Sequence, residues 1–241
     1  FIDWVIKTKC VIKSIDLGET VMNLSRTKDI ITLIQDSAIQ VSRIDFGSSQ
    51  WKFSEMKAFL WMGGLSSSLQ LTRLALGDSK ICPDSIRLLI DHLCSQASHI
   101  QVFSSGVVEL GNDELTKLSK HLMSRQSNII SCVLSNQVFD QDRSLLLAKV
   151  VSRSESMRHL ALINCWIDHE KFESSLVSGR VENIYLETIT AGQIHHMTDC
   201  FTQKGYHVDQ KISRHRVRLK LRDDSHQPIK KKQGAEASVS S

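Results

Sequence analysis

Apolar residues recur along this chain in an eleven-residue pattern, with apolar side chains at its first, fourth, sixth and eleventh positions. The clearest copies are MRHLALINCWI from Met157 and LTRLALGDSKI from Leu71. Related segments begin at Ile12, Val41, Ile100, Ile129 and, more weakly, Val181. In chain order the copies start 29, 30, 29, 29, 28 and 24 residues apart. Alternation of apolar and polar positions is typical of a short strand, and a constant interval indicates internal repeats.

The residues between these copies follow a helical period instead. DSIRLLIDHLC spaces apolar residues from Ile86 to Leu93 at i, i+3, i+4 and i+7, and NDELTKLSKHLM places Leu115, Leu118, Leu122 and Met123 on one helix face in the same way. TKDIITLIQDSA and SEMKAFLWM show the same spacing, and Pro83 and Asn112 are favourable helix starts. Each interval therefore predicts a strand followed by a helix. Since neither element can bury its apolar face alone, stacked units would form the core.

This pattern resembles the leucine-rich repeat family, in the long-repeat form typified by ribonuclease inhibitor, over about residues 10–205. MRHLALINCWI follows the family consensus L-x-x-L-x-L-x-x-[NC]-x-L closely. Other copies depart from it at Ser79, Ser105, Val108, Cys132 and Gln137. The resemblance implies an α/β horseshoe solenoid of about seven 28–30-residue strand–helix repeats, with a parallel sheet on the concave side. A doubly wound α/β domain also alternates strands and helices, but it does not keep a fixed period.

The two ends of the chain leave the pattern. FIDWVIKTKC looks like the helix of an earlier unit, which suggests the C-terminal repeat domain of a larger multidomain protein. YHVDQKI and HRVRLKL read as two strands. We therefore predict a repeat domain at 1–205, a capping hairpin at 206–221 and a disordered tail at 222–241.

Composition and charge indicate the compartment. Six cysteines without a C-x-x-C pair favour free thiols in a reducing environment, and no apolar run is long enough to enter a membrane. The chain carries a net charge of +4, concentrated in a basic segment at 211–232. That segment has little aromatic content for base stacking, which argues against a nucleic-acid partner. We expect a cytoplasmic protein, with the nucleus as the alternative because of Lys230–Lys232.

No catalytic motif is present in the sequence. It lacks a phosphate-binding glycine loop, a G-x-S-x-G elbow and an H-E-x-x-H helix. We therefore predict no enzymatic activity, no catalytic residue, no cofactor and no small-molecule substrate. His196 and Cys200 stand four residues apart, next to His195, and could share a zinc ion with Cys165 and His169. The simpler interpretation is a core cysteine beside solvated histidines, so no metal site is predicted.

Candidate binding residues follow from the two-residue period of a strand, which places alternate side chains on the open side of the sheet. Four glycines, 18, 47, 77 and 106, follow successive strands and would let the chain turn out of the sheet. The alternative is a row of solvated side chains that pair with one another, such as Asp16 with Arg43. The charged or aromatic residues on the open side are Asp16, Arg43, Asp45, Arg73, His159, Tyr185 and Glu187.

The resemblance implies a non-catalytic domain that binds a protein partner or another domain of its own chain. Long intracellular repeats of this kind occur as ribonuclease inhibitors, as actin-capping proteins and as the sensor and autoinhibitory repeats of nucleotide-binding immune receptors. The alternatives are the substrate-recognition repeats of an F-box-type ubiquitin ligase receptor, or a regulator of an enzyme such as a nuclease or a small GTPase. Because fold does not determine function, the partner stays open.

Overall fold

The computed structural model describes residues 7–8, 11–36, 38–63, 65, 70–95, 98–176, 181–187 and 202–203, and the backbone of 206–213 and 216–221. Within these ranges the chain is an α/β protein with a mostly parallel sheet. The predicted tail at 222–241 lies outside the described residues, as does most of the predicted helix at the start of the chain.

The main sheet takes one strand from each strand–helix unit. Its parallel strands are β1 (Ser14–Asp16), β2 (Arg43–Asp45), β4 (Arg73–Ala75), β6 (Val102–Ser104), β7 (Ser131–Ser135), β9 (His159–Ile163) and β11 (Asn183–Glu187). They pair in chain order, without the reversal of a doubly wound sheet. The register partners Ser14, Arg43, Arg73, Val102, Ser131, His159 and Asn183 are 29, 30, 29, 29, 28 and 24 residues apart. These equal the intervals of the apolar pattern.

Six helices among the described residues follow the strands. They are α1 (Leu24–Gln35), α2 (Phe53–Trp61), α3 (Pro83–Leu93), α4 (Asn112–Leu122), α5 (Gln141–Arg153) and α6 (His169–Ser175), and each packs against the next. The helix starts predicted at Pro83 and Asn112 are confirmed. Three helices are capped by a side-chain oxygen that accepts from a first-turn amide: Asn23 from Arg26, Asp140 from Arg143 and Asp168 from Lys171.

A second set of two-residue strands precedes the helices, which the sequence pattern did not predict. β3 (Gln50–Trp51) pairs with β5 (Lys80–Ile81), and β8 (Val138–Phe139) pairs with β10 (Trp166–Ile167), both in parallel. These pairs form two separate two-stranded sheets. Residues 109–110 lie between β5 and β8 in the sequence and occupy the same position of the repeat. They form no strand, so the two sheets are not joined.

The core lies between the main sheet and the helices. Leu74, Phe103 and Leu160 point inward from the strands and are at most 1% exposed, and the predicted helix residues Leu89 and Leu118 meet them in the same cluster. In the earlier units Phe46 stacks on Trp51 with ring centroids 4.6 Å apart. Burying such large apolar groups on one side of the sheet stabilises the stack by removing their area from water.

Two antiparallel strands lie where the sequence predicts them after Gly205. They are β12 (Tyr206–Ser213) and β13 (Arg216–Leu221), and β13 pairs antiparallel with β11 at the end of the main sheet. The register sets Val217 opposite the buried Leu186 and Leu219 opposite the buried Ile184. The hairpin backbone therefore supplies hydrogen-bonding partners to β11, whose edge would otherwise be open.

Candidate interaction surface

The sheet face that points away from the helices carries the candidate site, and we call it the strand face. Its side chains alternate with buried ones along each strand. Arg43 and Arg73 are exposed, whereas the residues that follow them, Ile44 and Leu74, are buried. Along the described strands, the strand-face positions are partly or fully exposed, except for the buried Ser135 at the end of β7. The face consists of Ser14, Asp16, Arg43, Asp45, Arg73, Ala75, Val102, Ser104, Ser131, Val133, His159, Ala161, Ile163, Asn183, Tyr185 and Glu187.

At the amino-terminal end of the strand face, the carboxylates are held by local contacts. Asp45 Oδ2 accepts a hydrogen bond from Arg43 Nη2 at 3.0 Å, and its Oδ1 accepts from the backbone amide of Gly47 at 3.0 Å. Asp16 Oδ1 accepts from the amide of Gly18 at 2.9 Å. The expected pairing of Asp16 with Arg43 is therefore wrong, because Arg43 bonds the carboxylate on its own strand and Asp16 bonds the adjoining turn.

Arg73 differs from its neighbours on the strand face. It is the register partner of Arg43 on the adjacent strand, and among the described residues it makes no ion pair. Its register partner on the other side is Val102, and the next strand-face pair is the small residues Ala75 and Ser104. A guanidinium without a protein partner is suited to a carboxylate supplied by another molecule.

At the other end of the strand face the predicted residues form two hydrogen-bonded pairs. His159 Nδ1 lies 3.1 Å from the Asn183 side-chain nitrogen, and the Tyr185 hydroxyl donates to Glu187 Oε2 at 3.4 Å. His159 is exposed, and the other three are partly buried. The pairs occupy adjacent positions on β9 and β11, so the three predicted residues do come together.

The structure does not bring the two predicted groups together. The strands that carry Arg73 and His159 are separated by β6 and β7, three strand spacings or about 14 Å. Small or partly buried side chains such as Val102, Val133 and Ala161 occupy the interval. The strand face therefore has polar groups at its ends and a shallow, weakly apolar middle, an arrangement that suits an extended macromolecular contact.

One edge of the strand face is formed by turns that contain the four predicted glycines. Gly18, Gly47, Gly77 and Gly106 have φ between 53° and 56°, which confirms their role in turning the chain out of the sheet. After β7 and β9 the left-handed residue is asparagine instead, at Asn136 and Asn164. Each asparagine lies one position later in the repeat pattern than the glycines do, because Ser135 and Ile163 extend these two strands. Asparagine tolerates the left-handed backbone region better than most other residues with a side chain. The pattern of glycines alone therefore did not identify these two turns.

Gln137 was a departure from the family consensus, but the structure gives it a definite role. Its Oε1 accepts from the Leu110 amide at 2.9 Å, and its Nε2 donates to the Val108 carbonyl at 2.9 Å. It is 1% exposed. A buried amide that bonds two backbone groups of the preceding unit ties successive units together.

Among the described cysteines Cys82 is exposed, Cys94 and Cys165 are partly buried, and Cys132 is buried. Burial raises the pKa of Cys94 and of Cys132 to about 12, and that of Cys165 to about 11. A thiol with so high a pKa carries almost no thiolate at neutral pH and is a poor nucleophile. Within the described ranges no group of three His, Cys, Asp or Glu side chains is placed to hold a metal ion. His195, His196 and Cys200 lie outside those ranges.

Comparison with models of known protein families gives no match, and comparison with curated proteins gives no significantly similar sequence. In the part of the chain that the structure describes, no helix combines the length and the apolar character needed to cross a membrane. Function must therefore be inferred from the arrangement of the sheet and its open face.

Proposed function

We propose that this chain is a non-catalytic protein-interaction domain, a leucine-rich-repeat solenoid that binds a protein partner, or another domain of its own chain, through the strand face. The observation that carries the proposal is a parallel sheet with one face left open. Parallel sheets are normally covered on both faces, because helical crossovers pack on each side. Here each helix packs against its chain neighbours behind the sheet, and the strand face keeps exposed arginine and histidine side chains.

The agreement between register and sequence interval supports the repeat interpretation. Every parallel step of the main sheet joins residues that occupy the same position of the apolar pattern, from Ile15 opposite Ile44 to Leu160 opposite Ile184. Each unit then buries its apolar residues chiefly against the units before and after it, which is how solenoids obtain a continuous core.

Unequal packing distances support the horseshoe. Hydrogen-bonded strands lie about 4.8 Å apart, whereas packed helices need about 8–10 Å between their axes. A stack that contains one strand and one helix per unit must therefore curve, with the strands on the inner side. That curvature would make the strand face concave and able to surround part of a partner.

The composition of the strand face indicates which residues bind. Tyr185 supplies an aromatic surface, His159 and Glu187 supply polar groups beside it, and Arg73 supplies a cation without a partner among the described residues. Tyrosine and arginine are the residue types that most often dominate binding energy at protein interfaces. The proposal includes neither a cofactor nor a small-molecule substrate.

An affinity capture from native lysate tests the proposal. The bait is compared with a His159→Ala, Tyr185→Ala, Glu187→Ala variant and with a control, Asp84→Ala, Lys120→Ala, Asp142→Ala, on exposed positions of α3, α4 and α5. We expect the strand-face variant, with an unchanged unfolding midpoint, to lose a protein that the control retains. Loss by the control alone, or equal retention by both variants and by an Arg73→Glu variant, would contradict binding through the strand face.

A further inference from the structure

The short strands before the helices form a hydrogen-bonded ladder that is interrupted on both sides of residues 109–110, and only the second interruption, toward β8, is bridged by a side chain. In the intact steps the Gln50 amide donates to the Thr20 carbonyl at 3.0 Å, and the Lys80 amide donates to the Ser49 carbonyl at 2.8 Å. The corresponding bond would join the Glu109 amide to the Ser79 carbonyl, and no such bond forms. Both residues are fully described, and among the described residues the Glu109 amide has no other hydrogen-bond partner.

Valine at position 108 leaves the first interruption without the side-chain bridge that the second one has. Gln137, at the corresponding position of the next unit, bonds the backbone of the unit before it through both ends of its amide. Val108 is apolar and can make no such bonds, so among the described residues no hydrogen bond joins the 108–111 segment to β5. The Val107 amide still donates to the Gly77 carbonyl at 2.9 Å, and the chain separates from β5 after that bond.

A groove of about 780 Å³ opens at this break. Ser79, Lys80 and Ile81 line one side, and Val108, Glu109 and Gly111 line the other. Ser79 is 6% exposed, and its Oγ has no hydrogen-bond partner. Buried hydroxyls are almost always hydrogen-bonded, so an unpaired one in a groove beside an unpaired amide indicates a polar ligand.

The charges that line the groove favour a basic ligand. Arg87 pairs with Glu114 at 3.3 Å, which leaves Lys80 against Glu109 and Asp113, so the remaining side chains carry a net charge of −1. A helix amino terminus, such as that of α4 in this groove, favours an anion. Here the Glu114 carboxylate already lies close to Gly111 at that end of α4, so the preference for a basic ligand is kept.

We infer that this groove binds an extended peptide segment of a partner protein that carries arginine or lysine. The peptide supplies the backbone groups that the ladder lacks: a peptide carbonyl accepts from the Glu109 amide, and a peptide amide donates to the Ser79 carbonyl. Addition of a strand to unpaired backbone groups is a recurrent form of peptide recognition, and the side chains that alternate along the strand supply the specificity. The groove is lined by the segments before α3 and α4 and by the first turns of these helices, and no strand-face residue lines it, so this inference does not depend on the proposed function.

Titrations followed by NMR of the backbone amides test the inference on the full chain. The probe is the peptide Ac-Thr-Arg-Val-Arg-Val-amide, compared with Ac-Thr-Glu-Val-Glu-Val-amide and with the arginine peptide methylated on every backbone nitrogen. We expect the arginine peptide to shift the signals of Glu109 and Gly111. We also expect it to bind about tenfold more tightly than either comparison peptide, since each of these lacks the charge or the hydrogen bonds that the groove recognises.

Two variants complete the test. Val108→Gln copies the residue whose side chain bridges the next interruption, so it should retain the fold and reduce the affinity for the arginine peptide about tenfold. Glu109→Lys changes an exposed side chain and should reverse the preference toward the glutamate peptide. The inference is overturned by unshifted Glu109 and Gly111 signals at millimolar peptide, by equal affinity of the methylated peptide, or by an unchanged preference in Glu109→Lys.

Discussion

Replacement of single glycines in the turn edge measures how closely successive units stack. Gly18 and Gly77 have nearly the same backbone, with φ of 53° and 55°. A Cβ added at Gly18 would meet no atom within 4 Å, whereas a Cβ at Gly77 would lie 2.5 Å from the Gly47 carbonyl oxygen and 2.9 Å from its Cα. The two positions therefore share the conformational cost of a side chain and differ in the steric cost.

The expected magnitudes follow from these two costs. A left-handed conformation costs an L-residue about 1–2 kcal/mol, so Gly18→Ala should destabilise the domain by about that amount. Gly77→Ala adds a collision with backbone that can be relieved only by moving a turn, and overpacking of this kind costs about 1–3 kcal/mol more. The loss of unfolded-state entropy on replacing glycine by alanine is the same for both and cancels in the comparison.

Urea denaturation followed by far-UV circular dichroism gives the free energies of unfolding. We expect Gly77→Ala to be about 1–3 kcal/mol less stable than Gly18→Ala, at an unchanged dependence on urea. Gly18→Ala is the matched control, because it carries the same conformational cost without the collision. Equal destabilisation by the two alanine variants would refute the close stacking of the turns.

Three further predictions concern the core, pH and the thiols. Leu74→Asp buries a charge and should unfold the domain, whereas Ala75→Asp on the strand face should be tolerated in thermal melts, and equal stability of the two would refute the strand register. Burial lowers the pKa of His92 and of His121 below 6.5, so the folded state binds fewer protons than the unfolded state. Stability should be complete above about pH 7 and fall as pH drops through 6.5 toward the lowered pKa of each histidine, and a double glutamine variant should lose this pH dependence. Cys132, which is fully buried with a pKa raised to about 12, should react with a maleimide only after unfolding. Because Cys82 is exposed, the labelled residue is identified by peptide mass mapping, and rapid labelling of Cys132 itself in the native protein would contradict its burial.

Much of the fold could be predicted from the apolar pattern, because burial acts on every unit in the same way. The inward position of Leu74, the helix starts at Pro83 and Asn112, and the left-handed backbone of the glycine turns all follow from single-residue chemistry. Each of these features depends on local geometry and on which face of an element is apolar.

The partners of individual polar side chains could not be predicted in the same way. Arg43 can reach a carboxylate on its own strand or on β1, and only the rotamers and the turn amides decide between them. The side chain of Gln137 bonds the preceding unit, which depends on where that unit's backbone leaves its polar groups. Val108 was visible as a departure from the consensus, but the groove beside it results from a hydrogen bond that is missing in three dimensions.

Site-specific photo-crosslinking tests most directly whether the strand face is the binding surface. A benzophenone amino acid is placed at Val133, in the middle of the strand face, or at Lys120, on the exposed side of α4, and each protein is irradiated with the captured partner. The account predicts a crosslinked product from position 133 and none from position 120. Crosslinking from position 120 alone would place the partner on the helices and contradict the proposed function.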